Sequence, residues 1–435
     1  MSTIGVWRPA APARSALPAE HGGPFALPVP GPYIRAVAKE DNAMSLLIEG
    51  GDLVLPDRVL KTGGLLVSDG KIAAVGPSVR ALGALPRDCR RVQAEGQVVC
   101  PSLWEVHIHG CGGVSTESMT PEALDRMGDF LAARGVGAFM PTTVADEGIL
   151  SGLGEALAGG AENPALRGRA LGIHVEGPFV SPARKGGIPD HLVRAPSPEY
   201  LRALAEKARG FIREMTFAPE LPGARGVFDG LVAGGILPSL GHSDANFADL
   251  EPYDNIVPLG VTHLFNGMSG VSHKEPGLAQ WALLNRSVYT ELNCDGTHVH
   301  DAAIQLALRA RPWERLVVIS DAFTPAGLDA ADDDGLTVYG KSVVSRGNGV
   351  YYSDSGVLVG SRRLVNEGVG RLVSRFKVPL PAAVAMASLN PARHLGFLDK
   401  GALLPGFAGD VAVFSRDFSA CTFMAWEGVP LFEGA

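Results

Sequence analysis

The chain has 435 residues, 46% of them hydrophobic and 19% charged, and a net charge of −8. That suits a globular protein with a barrel-sized core and a satellite domain. The acidic balance and the absence of a basic cluster argue against nucleic acid or an anionic membrane surface as the main partner. No run of about 18 apolar residues offers a membrane span. The scattered cysteines, Cys89, Cys100, Cys111, Cys294 and Cys421, form no CxxC pair and fit a reducing cytoplasm better than a disulfide scaffold.

Residues 1–43 are rich in Pro and Ala, without an apolar period and without the continuous apolar stretch of a signal peptide. They are expected to be a disordered leader, with Met44 as the functional start. From Leu46 to about Val99 short strands alternate with tight turns. In "LLVSDGKIAAVG" two strands meet at Asp69-Gly70, the dipeptide that a type I′ hairpin turn favours. From Cys100 onward apolar strands alternate with helical stretches. Thr120 is the expected N-cap of a helix that has Pro121 at its first position and Gly135 as its stop. The runs "SLWEVH", "VGAFMPTTV", "ALGIHVEG", "GILPSLGH", "GVTHLFNG", "VYTELNCDG" and "RLVVISDA" read as barrel strands. The tail from Gly401 returns to strand and turn texture. The pattern predicts an α/β protein: a (β/α)8 TIM-type barrel over 100–397 and a small β-sandwich domain formed by both chain ends, 44–99 and 398–435.

The strand ends carry the chemistry. His107 and His109 end the first, and the strand period of two points both side chains the same way. Glu176 lies at the end of "GIHVEG", His242 ends "LPSLGH", His263 lies in "VTHLFN", Asp295 and His298 lie in "ELNCDGTH", and Asp321 lies at the end of "VVISDA". In a parallel barrel these ends meet at one face. Imidazoles and carboxylates suit zinc, iron or manganese-like ions, which lower the pKa of a coordinated water towards ~7. A carboxylate outside the tightest ligand set can then take the proton. His174 reads as a core histidine and stays outside the site. His191, His273 and His300 read as surface residues or neighbours of the site. Asp321, taken alone, also fits a helix cap.

These residues resemble the amidohydrolase superfamily. With Glu176 in "HVEGPF", where many members carry a carbamylated lysine, and with "GHSDA", "THLFNGMS", "EPGLA", "DGTHV", "SDAFTPAG" and "NPARHLG", the chain from about Met44 onward is similar to the N-acetylglucosamine-6-phosphate deacetylase family. The resemblance implies that one or two divalent ions, zinc or iron, are held by Glu176, His242 and His263, with His107 and His109 at a second metal. It implies Asp321 as catalytic acid/base. It also implies contacts to an amino sugar substrate from Gly177, Asn266, Gly267, Lys274 and His298, with Lys274 reaching across a homodimer.

Two departures follow from the same resemblance. Lys274 stands where an arginine is usual, and lysine lacks the planar fork that grips phosphate. An unphosphorylated or differently substituted N-acyl amino sugar is therefore an alternative substrate. Ile188 stands where one-metal members carry a histidine that polarises the acetyl carbonyl. Either a second ion at His107 and His109 or the nearby His191 would fill that role. The rival readings are a cyclic amide hydrolase, which would need the lysine that the "GIHVEGP" strand lacks, and a metal-free scaffold, which would have lost ligands.

Overall fold

The computed structural model describes residues 45–160, 163, 166, 168–329 and 335–434. The leader 1–43 and Met44 lie outside the described residues. Eight parallel strands form the barrel. They are β1 Leu103–Ile108, β2 Val136–Val144, β3 Ile173–Glu176, β4 Ile212–Phe217, β5 Leu237–Leu240, β6 Gly260–Val261, β7 Tyr289–Asn293 and β8 Leu316–Ile319. Such strands are covered on both faces, so they read as nearly continuous apolar runs; in β2 all nine residues are buried.

The barrel closes at its C-terminal rim. His109 N donates to Ala322 O at 2.8 Å and Asp321 N donates to His107 O at 3.0 Å, so the chain just past β8 pairs with the end of β1. The helices that follow the strands are α1 Pro121–Ala132, α2 Glu147–Gly160, α3 Pro198–Lys207, α4 Ala224–Ala233, α5 Phe247–Leu250, α6 Leu278–Leu284, α7 Asp301–Ala310 and α8 Val365–Ser374. The Thr120 side chain accepts from Ala123 N at the start of α1, with Pro121 in the first turn, as its sequence predicts.

One strand, β4, was not among the runs read as barrel strands. It runs out into Ala218-Pro219, and no histidine or carboxylate marks its end. A second unread element lies between β8 and α8. Strands Thr337–Val338, Lys341–Arg346, Gly349–Tyr352 and Leu358–Ser361 form an antiparallel sheet that leans over the barrel mouth.

The chain ends meet in one eight-stranded sheet. Val411–Phe414 pairs antiparallel with Val98–Pro101, which pairs with Ser45–Val54. Leu46, Ile48, Leu65, Val67, Val411, Val413 and Phe423 fill its core. Asp69 and Gly70, with φ of 52° and 74°, make the tight turn between Val59–Ser68 and Lys71–Gly76. Trp104, fully buried, packs edge-on against Phe397 with ring centroids 5.1 Å apart, and against Trp426.

Lys400 ties this sheet together from beneath: its Nζ lies 2.9 Å from Asp410 Oδ2 and 3.0 Å from Glu427 Oε1, and 4.0 Å from the Trp426 ring centre. Asp410 is 2% exposed, and burial raises its pKa in spite of Lys400. Lys400→Met leaves that carboxylate buried without its cation. The variant is expected to lose about 3–5 kcal/mol of stability at neutral pH. Denaturant unfolding at two pH values checks this, because the penalty shrinks in acid once Asp410 takes up a proton.

Candidate metal centre

The strand ends do converge. Glu176, the last residue of β3, is 6% exposed, and its Oε1 lies 2.9 Å from His263 Nε2 and 3.1 Å from His242 Nε2. Those two nitrogens are 3.0 Å apart. Glu176 Oε1 is also 3.5 Å from His107 Nε2, and its Oε2 is 3.3 Å from His109 Nε2. Asp321, two residues past β8, places Oδ1 3.5 Å from His109 Nε2 and 3.7 Å from His107 Nε2. Its Oδ2 lies 3.3 Å from His298 Nε2.

Backbone bends at the strand exits aim these groups. His242, His263 and Asp321 all have positive φ, at 48°, 29° and 52°, a conformation non-glycine residues hold at a cost of roughly 1–3 kcal/mol each. Gly267, at φ 52°, must be glycine: an added Cβ would sit 2.8 Å from His242 Nδ1.

The far nitrogens of four of the rings are held as well. His242 Nδ1 donates to Arg184 O at 2.9 Å, leaving Nε2 to face Glu176. His107 Nδ1 meets Glu291 Oε2 at 2.9 Å, and the same oxygen accepts from His263 N at 3.1 Å. His109 Nδ1 meets the Tyr339 hydroxyl at 3.0 Å, and His298 Nδ1 meets Asp295 Oδ2 at 2.8 Å.

Burial works against the charge on Glu176, yet the four surrounding imidazoles outweigh it and hold the carboxyl well below its usual range. Burial lowers the pKa of His107 to about 4, against the pull of Asp321 and Glu176. Burial also disfavours the charged form of His298, but Asp295 and Asp321 overcome it and raise the pKa.

A divalent ion fits these residues. Ligands that each stand ~2 Å from one ion lie roughly 3–3.5 Å from one another, the spacing of Glu176, His242 and His263. His107 Nε2 is buried, has no hydrogen-bond partner, and faces Glu176 and Asp321. Two groups, Glu176–His242–His263 and His107–His109–Asp321, each gather their donor atoms within 4.8 Å. A third, His107–His174–Glu291, does the same inside the barrel, but there Glu291 already holds His107 Nδ1. His174, fully buried, bonds Thr216 Oγ1 at 2.8 Å, the core role its sequence position suggested.

The pocket over this centre is lined by Asn266, Gly267, Ile188, Val144, Phe323, Tyr339, Tyr352, Leu358 and Val359, besides His109, Glu176, His242, His263, His298 and Asp321. Of the substrate contacts expected from the sequence, Asn266, Gly267 and His298 line it. Gly177 does not: it follows Glu176 with φ 84° and packs toward Val180 and Ile188. Lys274 is exposed, outside this pocket. His191 is exposed too, whereas Ile188 is 3% exposed and part of the wall. His191 is not among the residues that line the pocket. Asp321 caps no helix; it faces the histidines. The residues that sequence reasoning missed are Glu291 and Tyr339. Glu291 had a signal, a carboxylate in the middle of the apolar strand "YTELN". Tyr339 had none, since its hairpin was not read.

A barrel mouth furnished in this way is that of a metal-dependent hydrolase. No protein-family model matches the chain. It is 33% identical over 386 residues to the N-acetylglucosamine-6-phosphate deacetylase of Bacillus subtilis (strain 168), covering 86% of this chain and 94% of that protein. It is also 33% identical over 346 residues to the N-acetylgalactosamine-6-phosphate deacetylase of Escherichia coli O157:H7, covering 79% and 88%. The crystal structure of N-acetylglucosamine-6-phosphate deacetylase from Pasteurella multocida superposes with a TM-score of 0.78 at 26% identity, over 89% of this chain and 99% of that one. The chain belongs to the N-acetylhexosamine-6-phosphate deacetylase family of amidohydrolases. No helix among the described residues is long and apolar enough to cross a membrane.

The Asp295–His298 pair yields a pH prediction. His298 has its pKa raised, so its proton is retained below that value and lost as pH rises through it. Asp295→Asn removes the charge that raises it, and the His298 pKa should fall. The alkaline limb of kcat/KM is then expected to move to lower pH, which a pH–rate profile of the two proteins measures; superimposable profiles contradict it.

Proposed function

We propose that the chain hydrolyses the acetamide of an N-acetylhexosamine 6-phosphate, N-acetylglucosamine 6-phosphate foremost, to acetate and the amino sugar phosphate. The observation that carries the proposal is the meeting of Glu176, His242 and His263 with Asp321 at one pocket in a chain of this family. Glu176, His242 and His263 would hold the first ion, and His107 and His109 a second; Glu176 stands where many members of the superfamily carry a carbamylated lysine. Zinc or iron fits this set of nitrogen and oxygen donors. When bound, such ions polarise the acetyl carbonyl and acidify water beside it.

The chain's own groups do the rest. Asp321 Oδ1 faces the centre and takes the proton of the attacking water as general base. The carbonyl carbon gains the water oxygen, and Asp321 then returns the proton to the amide nitrogen as the C–N bond breaks. His298, anchored by Asp295, holds Asp321 Oδ2 and turns the other oxygen inward. Ile188 gives the acetyl side an apolar wall and supplies no proton. This division agrees with an electrophile at the His107 and His109 site in place of a histidine.

None of the described residues that line the pocket is Lys or Arg. The reading takes the chain as a homodimer in which the partner copy's exposed loop brings Lys274 to the phosphate. The same observation favours a second reading, an unphosphorylated N-acyl amino sugar as substrate. A cytoplasmic setting agrees with the free cysteines, of which Cys100, Cys111, Cys294 and Cys421 are buried.

One experiment tests the reading: acetate release from N-acetylglucosamine and N-acetylgalactosamine, each with and without a 6-phosphate, by wild type and Asp321→Asn. The expected result is preference for the 6-phosphates, with N-acetylglucosamine 6-phosphate fastest. The variant is expected to keep its metal content and lose about 10²–10⁴-fold in kcat. Equal rates without phosphate would favour the second reading, and a fully active variant would remove Asp321 from its role.

A further inference from the structure

The hairpin over the pocket carries a residue that the reaction above leaves unused. Tyr339 and Gly340 form the two-residue turn between Thr337–Val338 and Lys341–Arg346. Both have positive φ, 48° and 75°. Asn or Gly takes the first position of such a turn readily; a bulky aromatic ring there is strained. Three sets of contacts hold it. Tyr339 N donates to Glu117 Oε2 at 2.7 Å. Its ring stands edge-on to Phe323, with centroids 6.4 Å apart at 90°. Its hydroxyl lies 3.0 Å from His109 Nδ1.

His109 is thereby fixed in two senses. Its ring lies flat on Phe323, with centroids 4.4 Å apart at 10°, which sets the plane. Tyr339 sets the rotation within that plane, turning Nε2 to Glu176 Oε2 and Asp321 Oδ1, 3.3 and 3.5 Å away. For Nε2 to offer a lone pair to a cation, the ring proton must reside on Nδ1. The Tyr339 hydroxyl oxygen, 3.0 Å from Nδ1, is placed to accept that proton. Glu291 stands in the same relation to His107, but from within the barrel. Tyr339 reaches in from outside it.

We propose that Tyr339 is a positioning residue for a divalent cation: it fixes the tautomer and direction of His109, so the second ion's site is completed by the inserted hairpin. The inference rests on the two-ion reading above. It accounts for a strained tyrosine in a turn where a smaller residue would sit more easily.

The test is zinc binding to metal-stripped protein by equilibrium dialysis, with wild type, Tyr339→Phe and Tyr339→Gly. Tyr339→Phe keeps the ring and the backbone and removes one oxygen. Wild type is expected to take two ions. In Tyr339→Phe the weaker ion should bind about 10–100-fold less tightly, with the tighter ion and the Tm of the metal-free protein unchanged. Tyr339→Gly, free of the left-handed strain, should lose the second ion as well. A wild type that takes only one ion overturns the two-ion reading and this proposal with it. A wild type with two ions whose Tyr339→Phe variant holds both as tightly overturns the proposal alone. So does equal weakening at both sites together with a lowered metal-free Tm, the mark of a merely structural role.

Discussion

Glu176 sits in a place that electrostatics alone would empty. Its carboxylate is buried, and four imidazole nitrogens stand within 3.5 Å of it. Nitrogens and oxygens that all present lone pairs to one another gain nothing from such crowding unless a positive charge, proton or metal, lies among them. The barrel supplies the force that holds them there. Its strands are paired edge to edge and buried on both faces, so their ends cannot splay without breaking ladders on either side. The cost appears locally as left-handed backbone at His242, His263 and Asp321.

Orientation comes from outside the cluster. His107 leans on Glu291, His109 on Tyr339, His242 on the Arg184 carbonyl and His298 on Asp295. In each case the nitrogen away from the centre has a partner, and the nitrogen facing it is directed. His263 differs: its Nδ1 is buried without a partner, and its backbone N–H, bonded to Glu291, sets the residue in place. Glu291 thus serves two of the histidines from one strand. The partners come from the barrel interior, from the loops and from the inserted hairpin, so the centre ties together parts of the chain that share no sheet.

Much of this was legible in the residues. Parallel buried strands announce themselves as apolar runs, and Glu176, His242, His263 and Asp321 each follow such a run closely. The β4 strand escaped because "FIREMTF" mixes charge into its pattern and has no ligand at its exit. Glu214 and Arg213 in that run are both accommodated by the fold, Glu214 against His394 on the helix Leu389–His394 and Arg213 by donating to the Leu395 carbonyl. Glu291 and Tyr339 escaped for a different reason: each acts through a histidine distant in sequence, and only the folded chain shows the pairing. Lys274, placed by resemblance, lies on the surface, where one chain by itself does not bring it to the pocket.

The most direct measurement of the central claim is anomalous X-ray scattering at the zinc edge from crystals of the zinc-loaded chain. The account predicts a peak about 2.0–2.2 Å from the facing donor atoms of Glu176, His242 and His263. A loaded crystal whose zinc lies elsewhere, with these three side chains turned away from one another, would contradict it.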